Sequence, residues 1–429
     1  MKVAILTMFA GLSSTYSLVN VVADQIKMLL EAQVELKILV SETCPDEERQ
    51  GVFLDPRLEW VKITNTRCGA PIVWHDYSAP TGTVHETFYE EAEWIAKDYV
   101  RYLQDVDVCI MHDILYQGWH LVHNVAIRQA QKSLPKVRFL AFTHSMPVNR
   151  PQKMEWPFSA RFTPMPNTRF VYPTYSGIDA LARQYDVPQG SCAVVYNSLP
   201  LLEMLSQDVR QVADSIDLLN ADILVVYPGR LTTGKRFEKV AALAGAIQKK
   251  TEQRTKVIFC DFPSADIPGQ VYKRMIQTEG MKFGLEKGDM LFTSDLGYEQ
   301  GFPRRGVFEL FGLSNLFICP SYSESFGLTV LEAASRGNFL VLNEAVPALK
   351  ELGDSLGAYF LRWDGRNFGY DTHEKYIPSE QAYYEEHGGI IVNLMREDHS
   401  LRAKTRARTK YHGTWICRNQ LMPLLAGTM

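Results

Sequence analysis

The sequence predicts an α/β protein made of two doubly wound parallel sheets. Three observations carry this expectation. Short, near-continuous apolar runs alternate with longer helical patterns along the chain, as they do when parallel strands are covered by helices on both faces. The runs fall into two series, parted by a stretch at 198–220 with no strand signal. The 429 residues, 46% hydrophobic and 22% charged, suffice for two or three domains with sizeable cores.

The first series comprises "KVAILTM" (2–8), "VELKILV" (34–40), "DVCIM" (107–111), "VRFLAFT" (137–143), "RFVYPT" (169–174) and "CAVVYN" (192–197). The second comprises "ADILVVYPG" (221–229), "TKVIFCD" (255–261), "DMLFTS" (289–294), "NLFICPS" (315–321) and "FLVLN" (339–343). The expected domains are 1–200 and 201–400, with a helical segment at 401–429. Residues 44–95 are polar, aromatic and irregular, and are open to two readings: an acceptor-binding insertion or a long surface connection. Ligands of doubly wound sheets bind at the carboxyl ends of the strands, so two facing domains would hold their ligand between them.

Composition excludes several classes. A net charge of −4 argues against a chain that coats nucleic acid over its whole surface, though not against a local basic patch. Seven cysteines (44, 68, 109, 192, 260, 319 and 417) form no CxxC pair, and buried thiols in a reducing compartment are the simplest account. The apolar start "MKVAILTM" is short and follows one lysine, so it reads as a strand and not as a signal peptide. No run reaches the 18 or so apolar residues of a membrane span. The expected location is cytoplasmic.

Two stretches carry chemistry. In "VVYPGRLTTGKRFEKVAALAGAI" (225–247) a strand ends and a basic loop leads into a helix. Arg230 and Lys235, with the helix dipole, can converge on one anion, most naturally a diphosphate, which needs more than one cation. The bland alternative is two solvated cations. "GRLTTGK" lacks the spacing and the Ser/Thr of a P-loop. In "PSYSESFGLTVLEAASRG" (320–337), Glu324 precedes a helix and Glu332 lies within it. The amides of Ser325, Phe326, Gly327 and Leu328 lie between, and Gly327 is expected to let a ligand approach the backbone. Two carboxylates flanking free amides suit a ligand that is polyol, anion, polyol. An acid in a first helical turn needs no ligand at all, but that accounts for Glu324 alone.

Together these stretches resemble the retaining GT-B glycosyltransferases, in particular glycosyltransferase family 4 (glycosyl transferases group 1). The match consists of the Glu-x7-Glu element Glu324 to Glu332, "GRLTTGK", and "VVYNSLP" before the second domain. The resemblance implies a GT-B fold, two facing Rossmann-like domains with an interdomain cleft. It implies that Glu332 binds the donor ribose and that Glu324 contacts the transferred sugar. The amides of Ser325 to Leu328 would hold hydroxyls or phosphate, and Arg230 and Lys235 would stabilise the departing diphosphate. "KR" at 235–236 departs from the family's common Lys-Gly. The resemblance further implies that 412–429 crosses back to the first domain.

In "LAFTHSMP" (140–147), His144 ends a strand, where similar enzymes bring a histidine to the donor sugar; a hydrogen-bonded loop histidine is the alternative. His112 and Asp113, at another strand end, are candidates to face the acceptor. Gly11 follows the first strand, where related enzymes use a glycine-rich turn near donor phosphate; here the turn has one glycine. "DVD" (105–107) precedes a strand, unlike the Asp-x-Asp of metal-dependent transferases, so no essential metal is expected. His120 and His123 lie three apart on a helical pattern with nothing to complete a metal site. "RAKTRARTK" (402–410) holds five basic residues and no acid, either a solvated helix face or a contact for phosphate or nucleic acid.

The reading is a retaining glycosyltransferase that uses a nucleotide-sugar donor (UDP, GDP or ADP form) and an unassigned acceptor, a polyanion such as DNA included. A nucleotide-sugar epimerase and a non-catalytic nucleotide-sugar-binding subunit remain open. A dinucleotide oxidoreductase is weaker, because no GxGxxG follows the first strand.

Overall fold

The apolar runs become strands because both faces of each are covered. Val3 to Leu6 and Leu224 to Val226 are fully buried. The computed structural model describes residues 1–67, 70–71, 75–363 and 380–428. The first sheet has strands β1 (Lys2–Leu6), β2 (Glu35–Ser41), β3 (Leu58–Ile63), β4 (Val108–His112), β5 (Arg138–Phe142), β6 (Thr168–Tyr172) and β7 (Cys192–Val194). The second has β8 (Ile223–Arg230), β9 (Thr255–Phe262), β10 (Met290–Phe292), β11 (Leu316–Cys319), β12 (Phe339–Asn343) and β13 (Tyr359–Leu361). Every pairing in both sheets is parallel.

The strand orders are β3-β2-β1-β4-β5-β6-β7 and β10-β9-β8-β11-β12-β13. Each order reverses once, between β1 and β4 and between β8 and β11. These are the switch points at whose carboxyl side a doubly wound sheet leaves room for a ligand. The expected pair of Rossmann-like domains is therefore present.

The described chain divides into two compact units, residues 1–198 with 413–429, and residues 199–412. The basic helix His399–Lys410 lies wholly in the second unit. From Gly413 on, short helical turns pack on the first unit, where Gln420 Oε1 accepts from the Tyr196 amide at 2.8 Å and Cys417 Sγ reaches the Met28 carbonyl at 3.5 Å.

Two strands of these sheets escaped the sequence reading, as did the short antiparallel pair Thr66–Arg67 and Ala70–Pro71. β3 lies inside the stretch read as irregular, because Glu59 and Lys62, three apart and so on opposite faces, break its apolar pattern. As an edge strand it pairs only with β2, and Lys37, nearly buried on β2, reaches Glu59 at 3.5 Å. β13 is three residues at the opposite edge of the second sheet, too short to show a period. The "DVD" acids cap strand bottoms: Asp107 accepts the Lys2 amide at 2.8 Å and Asp105 pairs with Lys37 at 3.0 Å. Cys44, Cys109, Cys192, Cys260, Cys319 and Cys417 are buried thiols; Cys68 lies outside the described residues. Among the described residues no helix is long and apolar enough to cross a membrane.

Helix Phe237–Thr251 lies against helix Gly269–Phe283 at backbone distance, because Gly245 has no side chain. A Cβ there would meet the Gly280 carbonyl oxygen at 2.9 Å and the Phe283 backbone at 3.0 Å. Gly245→Val is expected to cost about 2–3 kcal/mol through overpacking. Gly190→Ala, which meets nothing within 4 Å, should leave stability near its starting value. Urea unfolding of the two variants checks the contrast, and equal midpoints would refute the close packing.

Candidate functional site

The second switch point brings both chemistry-bearing loops together. β8 ends at Arg230, and a 3-10 turn, Thr233–Lys235, follows. β11 ends at Cys319 and leads through Ser321 and Tyr322 to Glu324. The backbones are tied directly, since the Tyr322 amide donates to the Gly234 carbonyl at 2.8 Å. The buried Tyr227 hydroxyl adds a second tie, donating to the Lys235 carbonyl at 2.8 Å and lying 3.3 Å from Ser321 Oγ. Asn343 Nδ2 holds the Ser321 carbonyl from β12 at 3.0 Å. On this frame the Lys235 ammonium pairs with Glu324 Oε1.

Arg230 is exposed, and its side chain makes no hydrogen bond or ion pair among the described residues. Arg236 takes the left-handed conformation, φ 54° and ψ 48°. Its guanidinium lies 4.6 Å from the Tyr322 ring centre. The loop thus keeps a glycine-like path with a bulky residue, at a cost of roughly 1–2 kcal/mol that the stacking partly offsets.

Helix Leu328–Ser335 starts from Gly327, whose φ is +93°. The expected reason for this glycine needs correcting. A Cβ would point toward Leu349 (3.3 Å), Val330 (3.3 Å) and Leu352 (3.4 Å), which are protein side chains and not ligand space. Gly327 is required by its backbone conformation. Ser325, Phe326 and Leu328 are exposed. Glu332 is the fifth residue of that helix, and its Oε1 accepts from Arg304 Nη2 at 3.0 Å. Sequence reasoning missed Arg304. It lies 28 residues away on another helix, and only the fold reveals the contact.

In the first unit, His112 is fully buried at the end of β4, and its Nδ1 lies 2.8 Å from His144 Nε2. Asp113 turns left-handed, φ 59°, and its Oδ1 accepts the His144 amide at 2.9 Å. Burial drives the His112 imidazole well below its usual range and pushes His144 down to about 4. Burial also raises the Asp113 carboxyl to about 6. The His–His contact is therefore between two neutral rings at pH 7, with one proton between them. Among the described residues, His112 Nε2 has no partner. A buried lone pair is easier to leave unpaired than a buried N–H. Hence His112 Nδ1–H donates to His144 Nε2, and His144 keeps its proton on Nδ1.

Gly11 sits against Glu48: a Cβ would meet Glu48 Oε2 at 3.1 Å, and that oxygen accepts from the Leu12 amide at 2.6 Å. His120 ends a 3-10 turn just before helix Leu121–Gln131, and His123 Nε2 lies 3.2 Å from Asn65 Oδ1. Among the described residues no three His, Cys, Asp or Glu side chains gather as a cation cluster.

The left-handed arginine gives one expectation. Arg236→Gly should change stability by less than about 1 kcal/mol, because relief of strain offsets lost stacking. Arg236→Val, which loses the stacking and fits the left-handed region worst, should cost about 2 kcal/mol or more. Thermal unfolding of both variants separates them. The histidines give another. Burial also lowers His120 and His412 to about 4 and His123 well below its usual range. Each binds its proton in the unfolded state first, so stability is expected to fall as pH drops from about 6.5 toward 4. Asp113 acts oppositely between about 6 and 4, since its raised value makes the folded form the better proton acceptor. The histidines outnumber it, so denaturant midpoints at pH 7 and pH 5 should show a net loss in acid, shallower in His144→Gln.

Residues 211–354 match the family model described as glycosyl transferases group 1. Over 172 residues the chain is 26% identical to the D-inositol 3-phosphate glycosyltransferase of Streptomyces avermitilis, a stretch that is 39% of this chain and 35% of that relative. The match thus spans about a third of the length of the curated relative. Among solved structures, a glycosyltransferase from Rickettsia africae aligns over 100% of both chains at 13% identity, with a TM-score of 0.37. Anabaena Alr3699/HepE, solved with UDP and glucose, aligns over 100% of both chains at 14% identity, with a TM-score of 0.35. Arg230, Lys235, Glu324 and Glu332 all fall inside the matched stretch, which lies within the second unit.

Proposed function

We propose that this chain is a retaining glycosyltransferase that takes its sugar from a nucleotide-sugar donor and needs no metal ion. The observation that carries this reading is the Lys235–Glu324 pair, at the carboxyl side of the second switch point and inside the group 1 domain. A diphosphate is a stronger partner for Lys235 than one carboxylate. Its arrival would free Glu324 to accept from sugar hydroxyls, and the unpaired Arg230 would supply a second cation. Glu332, held through Oε1 by the exposed Arg304, has Oε2 left for ribose hydroxyls.

The bond from the sugar's anomeric carbon to the diphosphate oxygen breaks as the acceptor oxygen attacks from the same face. The acceptor's proton passes to the leaving diphosphate oxygen. Negative charge grows on the diphosphate as that bond opens, so Arg230 and Lys235 bind the transition state more tightly than the ground state. His144 and Gly11 are assigned to the donor sugar and its phosphate on the sequence motifs alone. The acceptor is a small metabolite, a glycan or a modified nucleic acid.

Thermal unfolding with UDP-, GDP- and ADP-sugars, with and without a chelator, tests the donor. One nucleotide series should raise the midpoint with chelator present, and Glu332→Ala should abolish the rise. Lys235→Ala is expected to lower donor turnover, read as sugar release, by about 10²-fold or more. No shift from any nucleotide sugar, or near-normal turnover in Lys235→Ala, would overturn the reading. Analysis of the released sugar without acceptor separates transfer from epimerisation.

A further inference from the structure

A cavity of about 430 Å³ in the second unit lies away from the switch point, against Asp222, Ile223 and Asn315. These residues stand at the amino ends of β8 and β11. Ile223 and Arg230 are the two ends of β8, about 23 Å apart at 3.3 Å per residue. Donor chemistry at the carboxyl ends therefore makes no use of this space.

One wall of the cavity is basic. Arg402, Arg406 and Lys410 line it from helix His399–Lys410, and Arg396 from the helix before. The spacing of four along the helix stacks Arg402, Arg406 and Lys410 in one stripe. The other two basic residues of the run have different work. The Lys404 ammonium donates to the carbonyls of Phe311 (3.0 Å) and Arg336 (2.6 Å). The buried Arg408 donates to those of Leu218 (2.7 Å) and Ala221 (2.6 Å). These anchors fix the rotation of the helix and hold the stripe toward the cavity.

Charge within the cavity is not balanced. Among the described residues no carboxylate pairs with Arg396, Arg402 or Arg406, and Arg402 reaches only the His399 ring, at 3.1 Å. Asp222, the one acid of the lining, is engaged by Arg254 through both oxygens, at 3.0 and 3.2 Å. Like charges stacked four apart on a helix repel, by a few tenths of a kcal/mol per pair. The lining also has an apolar part, made of the buried Ile223, Val392 and Leu401. The volume falls in the range of small-molecule pockets, roughly 300–1,000 Å³.

We infer that this cavity binds a phosphorylated small molecule, with its phosphate forked by Arg402 and Arg406 and its apolar part resting on Ile223, Val392 and Leu401. Planar guanidinium forks suit a phosphate group, and the apolar part of the lining rewards a ligand that is not phosphate alone.

Calorimetric titration of the full chain with 1-naphthyl phosphate and with inorganic phosphate tests this. Naphthyl phosphate is expected to bind at least tenfold more tightly than phosphate. Arg402→Glu with Arg406→Glu should weaken it at least tenfold, while Glu324→Gln leaves it unchanged. Both arginines are exposed, and circular dichroism confirms that the helix persists; Arg396→Ala, on the neighbouring helix, gives an independent loss. Equal binding of the two probes, or binding indifferent to all three arginine substitutions, would overturn the site. Preferential binding of a short DNA duplex through the same arginines would overturn it in favour of a nucleic-acid face.

Discussion

The ion pair between Lys235 and Glu324 is the contact on which the proposed donor site of the second unit depends. It joins the loop after β8 to the loop after β11, the two strands that flank the reversal of strand order. Neither loop could present its charge reliably by itself, because long side chains at strand ends lose rotamer entropy when ordered. The frame is therefore built from shorter links: the Tyr322 amide on the Gly234 carbonyl, the Tyr227 hydroxyl on the Lys235 carbonyl, and Asn343 beneath Ser321. With both backbones fixed, the charged tips have little left to order.

Backbone strain marks the same level of both sheets. Among the described residues, seven besides glycine have positive φ. Gln33, Asp186 and Glu252 lie at helix ends, where left-handed residues commonly close the last turn. Met8 and Asp113 do not: each lies just beyond the carboxyl end of a strand beside a switch point, after β1 and β4, while Arg236 closes the 3-10 turn Thr233–Lys235 in the loop after β8. Strain of this kind persists where surrounding contacts over-determine the backbone. At Asp113 those contacts are visible, since the turn lets its carboxylate take the His144 amide while β4 holds His112 against the His144 ring.

How much was legible in the sequence follows from what each feature needs. Buried parallel strands need apolar residues on both faces, so β1 and β8 announce themselves as unbroken runs. Edge strand β3 is unpaired on one side and carries charge on both faces, Glu59 on one and Lys62 on the other, which hid it. The acidic and basic elements of the site showed as local spacings, Glu324 to Glu332 and Arg230 to Lys235. Partners from distant sequence did not show: Arg304 on Glu332, Tyr227 beneath Lys235 and Glu48 against Gly11 are contacts that only the fold creates. The basic run 402–410 was legible as charge but not as two faces. Its division into an anchored face with Lys404 and Arg408 and a stripe with Arg402, Arg406 and Lys410 depends on carbonyls contributed by residues about 70 to 190 positions away.

The two glutamates of the site are each held by a displaceable cation. The Lys235 side chain is 34% exposed and that of Arg304 is 78% exposed, so both pairs are partly hydrated. Pairs of this kind contribute on the order of 0–1 kcal/mol. That is enough to neutralise two carboxylates beside the start of a helix. It is too little to compete with a diphosphate, whose charge-assisted hydrogen bonds are about twice as strong as neutral ones and can fork across two cations. An incoming donor would therefore not meet bare charges that must first be desolvated. It would exchange partners, with diphosphate taking Lys235 from Glu324 while sugar hydroxyls take the carboxylate in return. Weak pairs in the empty site thus keep the cost of the exchange small, and a tighter, more deeply buried pair in the same place would oppose it.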